Sequence, residues 1–365
     1  MRLVGLASIL LLTPALAQAQ AQAPAAAPQP PPTPTNVRDA AAQLAAAPKA
    51  QIGNGVLEAT VLLPDREKGF YRGVRFDWSG MLSSLKYGGQ EYYGLWFDRI
   101  ADNVRDFLFL DGGVTVANNT GAVGPAEVYD GEAPASWAEA PAGGTFLKIG
   151  VGLLRKPAAG GNYSQFGVYE PVNPGVWKTV AKKDRVEFVH TLADPASGYG
   201  YVYRKVVRLV AGKPQMVIEH SLKNTGTRPI STVAYNHNFL TLGGEPTAAG
   251  VTVRTPYAIT TPQPVDPAAA TVSGGTLTYS RPLSGEQRFA ATIEGYPAGA
   301  GPYDVAVHNA AGAGFHVVSA TPMSRLALWS IRRTVSAEPF VSLKAAPGQT
   351  VDWTFTYAYA KAAPR

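Results

Sequence analysis

Between residues 351 and 359 the chain alternates. Val351, Trp353, Phe355, Tyr357 and Tyr359 fall on one side, and Asp352, Thr354, Thr356 and Ala358 on the other. A period of two belongs to a β-strand with one packed face and one wet face. Runs of the same kind begin near residue 56, among them 57–63, 73–78, 82–87, 146–154, 199–209, 215–222, 231–242 and 324–331. Turn sequences such as Ala211-Gly212-Lys213-Pro214 and Asn224-Thr225-Gly226 separate them, with Gly, Pro and Asn supplying the reversals. Nothing in the body holds apolar residues at helical spacing over three turns. The pattern predicts an all-β fold, a large antiparallel β-sandwich in one domain over residues 51 to 365, with a long loop at 111–145.

The first fifty residues break this pattern. Leu3 to Leu16 is an apolar run behind Met1-Arg2. It ends in Ala15-Leu16-Ala17 and Ala17-Gln18-Ala19, the small-x-small spacing that signal peptidases cleave. The run is too short to span a bilayer. Residues 1–19 are therefore expected to be a secretory signal peptide and the protein periplasmic or secreted, with no membrane span after cleavage. Residues 20–50 are mostly Ala, Pro and Gln, with five prolines from Pro28 to Pro34. This composition buries too little surface to offset its ordering entropy, so a disordered linker is expected, with at most one loose helix over 37–47.

Composition narrows the function. The chain has no cysteine, which excludes disulfides and thiolate metal sites. Its 32 basic and 26 acidic residues leave a net +6, but charged residues are only 16% of the chain. The basic pairs Lys182-Lys183, Arg204-Lys205 and Arg332-Arg333 are scattered, so no stripe follows a phosphate backbone, and no nucleic-acid partner is expected. There is no glycine-rich phosphate loop, no serine nucleophile elbow and no histidine pair at helical metal spacing.

The densest polar cluster in a strand-like setting is Ala234-Tyr235-Asn236-His237-Asn238-Phe239. Alternation sets Tyr235, His237 and Phe239 on one face, where an imidazole would lie beside aromatic surface suited to a sugar ring. The bland reading of His237, a hydrogen-bonded histidine in a half-buried strand, is favoured on these residues alone. Arg75 reads either as a donor to sugar hydroxyls or as the partner of Asp77. Trp96, Trp177 and Trp329 read as stacking platforms or, more simply, as core. His220 shares a face with Met216, Ile218 and Leu222 and reads as a satisfied core histidine. His308 and His316 flank a glycine-rich turn, but no third metal ligand is apparent.

Two blocks change that balance. A strand, the turn Asn224-Thr225-Gly226-Thr227-Arg228-Pro229 and a strand ending in Asn236-His237-Asn238-Phe239-Leu240 resemble the segment of galactose mutarotases (aldose 1-epimerases) that carries the acid histidine. Downstream, Glu338-Pro339, the turn Ala346-Pro347-Gly348-Gln349 and the closing aromatic strand are similar to that family's base element. The resemblance implies a cofactor-free, metal-free sugar epimerase with His237 as acid and Glu338 as base, poised on opposite sides of a pyranose ring. It also implies a monomer acting on a sugar or oligosaccharide. The family places a further histidine in an N-terminal loop. Here Asp98-Arg99-Ile100 is similar to the strand before that loop, but no histidine precedes His190, and Glu127 is expected to take part of its role. Arg75, Glu127 and Asn236 are the expected substrate-binding residues. A non-catalytic carbohydrate-binding protein and a tethered structural sandwich stand as the other functional readings.

Overall fold

A computed structural model of the chain describes residues 33–130, 134–244, 247–296 and 301–363, and Pro34–Arg365 is one compact unit. The expected signal peptide (1–19) and residues 20–32 of the expected linker lie outside the described residues. Half of the chain is strand and 4% helix, and the strands pair antiparallel almost throughout, so the fold is the all-β sandwich that the alternation predicts.

One sheet has ten strands. At its centre Tyr199–Leu209, Gln215–Asn224, Thr350–Ala360 and Gly314–Met323 lie side by side. A second sheet has five, in the order Arg288–Ile293, Arg325–Ile331, Thr334–Ala345, Ile230–His237 and Ala126–Val128. Their facing sides share a core in which Ile218, Phe355 and Tyr357 of the first meet Leu328, Ala337 and Val341 of the second. Trp353, Phe355, Tyr357 and Tyr359 are buried as the period of two requires, while Asp352 and Thr354 face water. Each such side chain contributes about 1.5–3 kcal/mol by leaving water.

The outer face of the five-stranded sheet is also covered. Thr334 to Val341 are buried without alternation, because a second core containing Phe76, Trp96, Phe97, Phe239 and Phe340 lies on that side. Much of this cover comes from residues 70–123, and it departs from the sequence expectations. The strand expected at 73–78 is an irregular segment. The Tyr71 hydroxyl accepts the N–H groups of Arg75 and Phe76, and Asn119 Oδ1 accepts that of Val74. Side chains thus satisfy backbone groups that a ladder would otherwise have to satisfy. The long loop expected at 111–145 holds the strands Gly113–Ala117 and Ala126–Val128 and the helix Ala135–Glu139.

Residues 34–50, expected as part of a disordered linker, carry structure. Arg38–Asp39 pairs with Arg99 and Ile100, the Asp39 carboxylate caps the helix Ala40–Ala46, and Lys49–Gly53 pairs along Glu58–Leu62. Composition hid this because edge pairing uses backbone groups and needs few apolar side chains.

Candidate active site

Register builds the site. Ala234 pairs with Val341 and Tyr235 with Phe340; carried two residues further, the same register sets His237 beside Glu338. The next strands put Ala327 opposite Glu338 and Ala126 opposite His237. Paired residues share a face, so all four point to the outer side of the five-stranded sheet. Two alanines flanking the pair leave space above it. That space is a cleft of about 170 Å3, lined by Arg75, Asp106, Phe166, Phe239 and Trp329 as well as by His237 and Glu338.

His237 Nε2 lies 3.1 Å from Glu338 Oε1, and the two residues are 5% and 8% exposed, at the floor of the cleft but open to it. The contact is not directed as a hydrogen bond. Glu338 Oε1, His237 Nδ1 and Arg75 Nε have no hydrogen-bond partner among the described residues. An unsatisfied buried polar atom costs about 1–3 kcal/mol, and all three belong to residues that line one cleft, which marks it as the candidate polar site.

Burial pushes the Glu338 carboxyl up to about 7, with Arg75, Ser336 and Arg325 pulling the other way. Burial also holds His237 well below the usual imidazole range, and the Arg75 charge adds to this. The two shifts run in opposite directions, so burial favours a proton on Glu338 over one on His237. Arg75 stays charged. Burial opposes its charge, but Tyr235, Asp106 and Glu338 outweigh it.

Arg75 reaches the cleft from the irregular segment latched by Tyr71 and Asn119. Its contacts are long, 3.8 Å to Asp106 and 3.4 Å to the Tyr235 hydroxyl, which leaves guanidinium donors for a ligand. Asp77, the partner expected in the bland reading, instead pairs with Lys205. The His237 ring stacks on Phe239 at 3.7 Å, and Trp329 meets it edge-on at 5.4 Å. Phe239 has φ 42, a strained left-handed conformation, and that turn carries its ring back over the imidazole. Gly124 permits the turn, because a Cβ there would sit 1.8 Å from the Asn238 carbonyl oxygen.

Glu127 and Asn236 are not in the cleft. Each lies one residue out of phase with Ala126 and His237 and so faces the interior between the sheets. Glu127 binds Lys205 Nζ at 2.9 Å and His220 Nε2 at 2.8 Å, and Asn236 donates to the Tyr357 hydroxyl at 2.7 Å. The structure thus does not bring these two residues, expected to bind substrate, together with His237 and Glu338 in the cleft. His220 is the satisfied core histidine expected, held by Glu127 and the Trp353 carbonyl. Trp96 is fully buried yet lines the cleft together with Trp329, whereas Trp177 stacks on His190. Asp106, Thr120, Gln165 and Phe166 also line it and were not foreseen. They sit in segments without periodicity, and nothing in their spacing signals convergence.

No protein-family model matches the chain, and no curated protein matches it. Among solved structures it is similar to a galactose mutarotase-like protein from Lactobacillus casei, at 11% identity over 86% of this chain and 100% of that one, with a TM-score of 0.47. It is also similar to an aldose epimerase homologue from C. elegans, at 14% identity over 87% and 100%, with a TM-score of 0.45. A third similar structure is a galactose 1-epimerase from Lactobacillus acidophilus, at 11% identity over 87% and 100%, with a TM-score of 0.43.

Proposed function

We propose that the protein opens and recloses the ring of a sugar hemiacetal, interconverting its anomers as an aldose 1-epimerase does. The observation that carries this reading is the His237–Glu338 pair: one buried imidazole and one buried carboxyl, 3.1 Å apart in a cleft with unpartnered polar atoms. The expectation that the two groups stand on opposite sides of a pyranose is replaced by adjacency. Adjacency suits the reaction, because the anomeric hydroxyl and the ring oxygen are both bonded to C1.

The proton inventory closes. His237 takes the proton of the anomeric hydroxyl while Glu338 gives its proton to the ring oxygen, the C1–O5 bond breaks, and C1 becomes an aldehyde. Rotation about C1–C2 turns the other face of the carbonyl to O5. Reclosure then returns a proton from O5 to Glu338 and from His237 to O1. The opened state holds a carboxylate beside an imidazolium, and Arg75 favours that carboxylate. On this reading Glu338 is the resting acid and His237 the resting base, the reverse of the roles implied by resemblance, and the opposite effects of burial on the two groups support it.

Polarimetry on freshly dissolved α-galactose and α-glucose tests the reading. The protein is expected to speed equilibration, and Glu338→Gln is expected to lower the acceleration by about 10²–10⁴-fold. The second reading, a sugar-binding protein without catalysis, is favoured by the lack of any histidine before His190. It takes over if wild type matches buffer in polarimetry but binds a sugar in calorimetry.

A further inference from the structure

The cleft over His237 and Glu338, at about 170 Å3, is below the roughly 300–1,000 Å3 of ordinary small-molecule sites and suits a single sugar ring. Two larger grooves each share a lining residue with it. Phe166 also lines a groove of about 600 Å3, and Trp329 also lines another of about 700 Å3. One aromatic side chain, of the kind sugar rings pack against, is thus common to the cleft and each groove.

The groove past Phe166 is cationic. Arg38, Arg66 and Arg72 line it against one acid, Asp102, and Asp102 is paired with Arg38 at 2.9 Å. Arg66 and Arg72 are exposed there. Arg72 donates to the Glu67 carbonyl oxygen, and its charge also reaches the exposed Asp65 carboxylate. At the junction the Arg75 and Arg105 guanidinium carbons sit 4.9 and 5.7 Å from the Phe166 ring centre. The groove past Trp329 has two arginines and one aspartate. Positive charge is therefore in excess in the first groove, beside a cleft whose Arg75 faces Asp106 at 3.8 Å, and a chain of sugars lying in that groove would be favoured if it carried carboxylates.

We propose that the site takes the reducing end of an acidic oligosaccharide. Its reacting ring lies over His237 and Glu338, and the next, carboxylate-bearing sugars lie against Arg66 and Arg72. This inference rests on the ring-opening reading of the His237–Glu338 pair.

Calorimetry of the full chain with trigalacturonate and with neutral galactotriose tests it. The acidic trimer is expected to bind about tenfold more tightly at low salt. The preference should vanish near 1 M salt, where charges are screened beyond about 3 Å. It should fall to no preference in an Arg66→Ala/Arg72→Ala variant and persist in Arg66→Lys/Arg72→Lys. Equal binding of the two trimers, or no binding of either, overturns the proposal. So does a full preference shown by galacturonic acid alone, which would place the charge recognition in the cleft. Reducing-end equilibration, followed by polarimetry, separates the two claims. An acidic trimer that binds tighter but equilibrates no faster than in buffer leaves the groove standing and sinks the ring-opening reading. Faster equilibration of both trimers without preference does the reverse.

Discussion

At the scale of the residue, the proposed reaction turns on the proton of Glu338 beside the His237 imidazole. Removing the last proton from the pair requires ionising Glu338, whose carboxyl burial has pushed up to about 7. Ring opening is therefore expected to be fast below that pH and to fall as pH rises through it. An acid-side loss should appear only where the depressed imidazole finally charges, well below its usual range. A kcat/KM profile that instead rises through pH 7 would make Glu338 a lone base and overturn the assignment. The same shift sets a stability effect. The folded pKa lies above the ordinary carboxyl value of 4.5, so the native state holds the proton more tightly than the unfolded chain. That contribution is fully present below 4.5 and lost as pH rises through about 7. Glu338→Gln lacks the ionisation, so it should gain on wild type with rising pH, by on the order of 3 kcal/mol beyond pH 7. Thermal melts of both proteins at about pH 5 and pH 8 measure the gap; a gap that narrows with pH contradicts it.

At the scale of the element, neighbours that are remote in the chain make the chemistry, and parity decides which side chains take part. Ile230–His237 and Thr334–Ala345 lie side by side, so two residues that alternation cannot relate come into contact. Alternation did place Tyr235, His237 and Phe239 on one face and identified the packed side of Thr350–Ala360. It could not show that Ala126, rather than Glu127, sits opposite His237, and a one-residue difference in phase moves a side chain from cleft to interior. Glu127 there neutralises buried Lys205. Burial alone would raise its carboxyl, but His220 and Lys205 hold it well below the usual carboxylate range. Its stabilisation is thus present above the unfolded value of 4.5 and lost as pH falls below it. Glu127→Gln is expected to cost about 3–5 kcal/mol by leaving Lys205 short of a counter-charge. Urea unfolding should show a lower midpoint at unchanged slope. A loss under about 1 kcal/mol would mean the cluster is wet and merely polar. Gly124→Ala tests the turn above the site. Its Cβ would displace the Asn238 carbonyl and with it the Phe239 ring on His237. It should therefore slow ring opening at saturating sugar more than it weakens binding; an unchanged kcat would free the stack from any positioning role.

At the scale of the whole molecule, the sandwich begins earlier than its apolar pattern does. The backbone of Ala40 is bonded to Asp98, and the strand Lys49–Gly53 is an edge of the sheet that continues through Glu58–Leu62. A chain starting at residue 54 would expose the Glu58–Leu62 edge and uncover Ile52's place in the main core. It should melt lower than one starting at residue 34 and aggregate on heating, as unpaired strand edges do. Equal melting temperatures would return residues 34–50 to the status of a tether. Ahead of that boundary we propose that residues 1–19 export the protein. The apolar run is short and ends in two alanine-framed cleavage sites, and a cysteine-free sandwich stabilised by two apolar cores folds without disulfide chemistry on the far side. Expression in a bacterium followed by osmotic shock should release a shortened protein whose first residue is Gln18 or Gln20. A cytoplasmic product that retains Met1 would remove the export claim and, with it, the expectation that the sugar is met outside the cytoplasm.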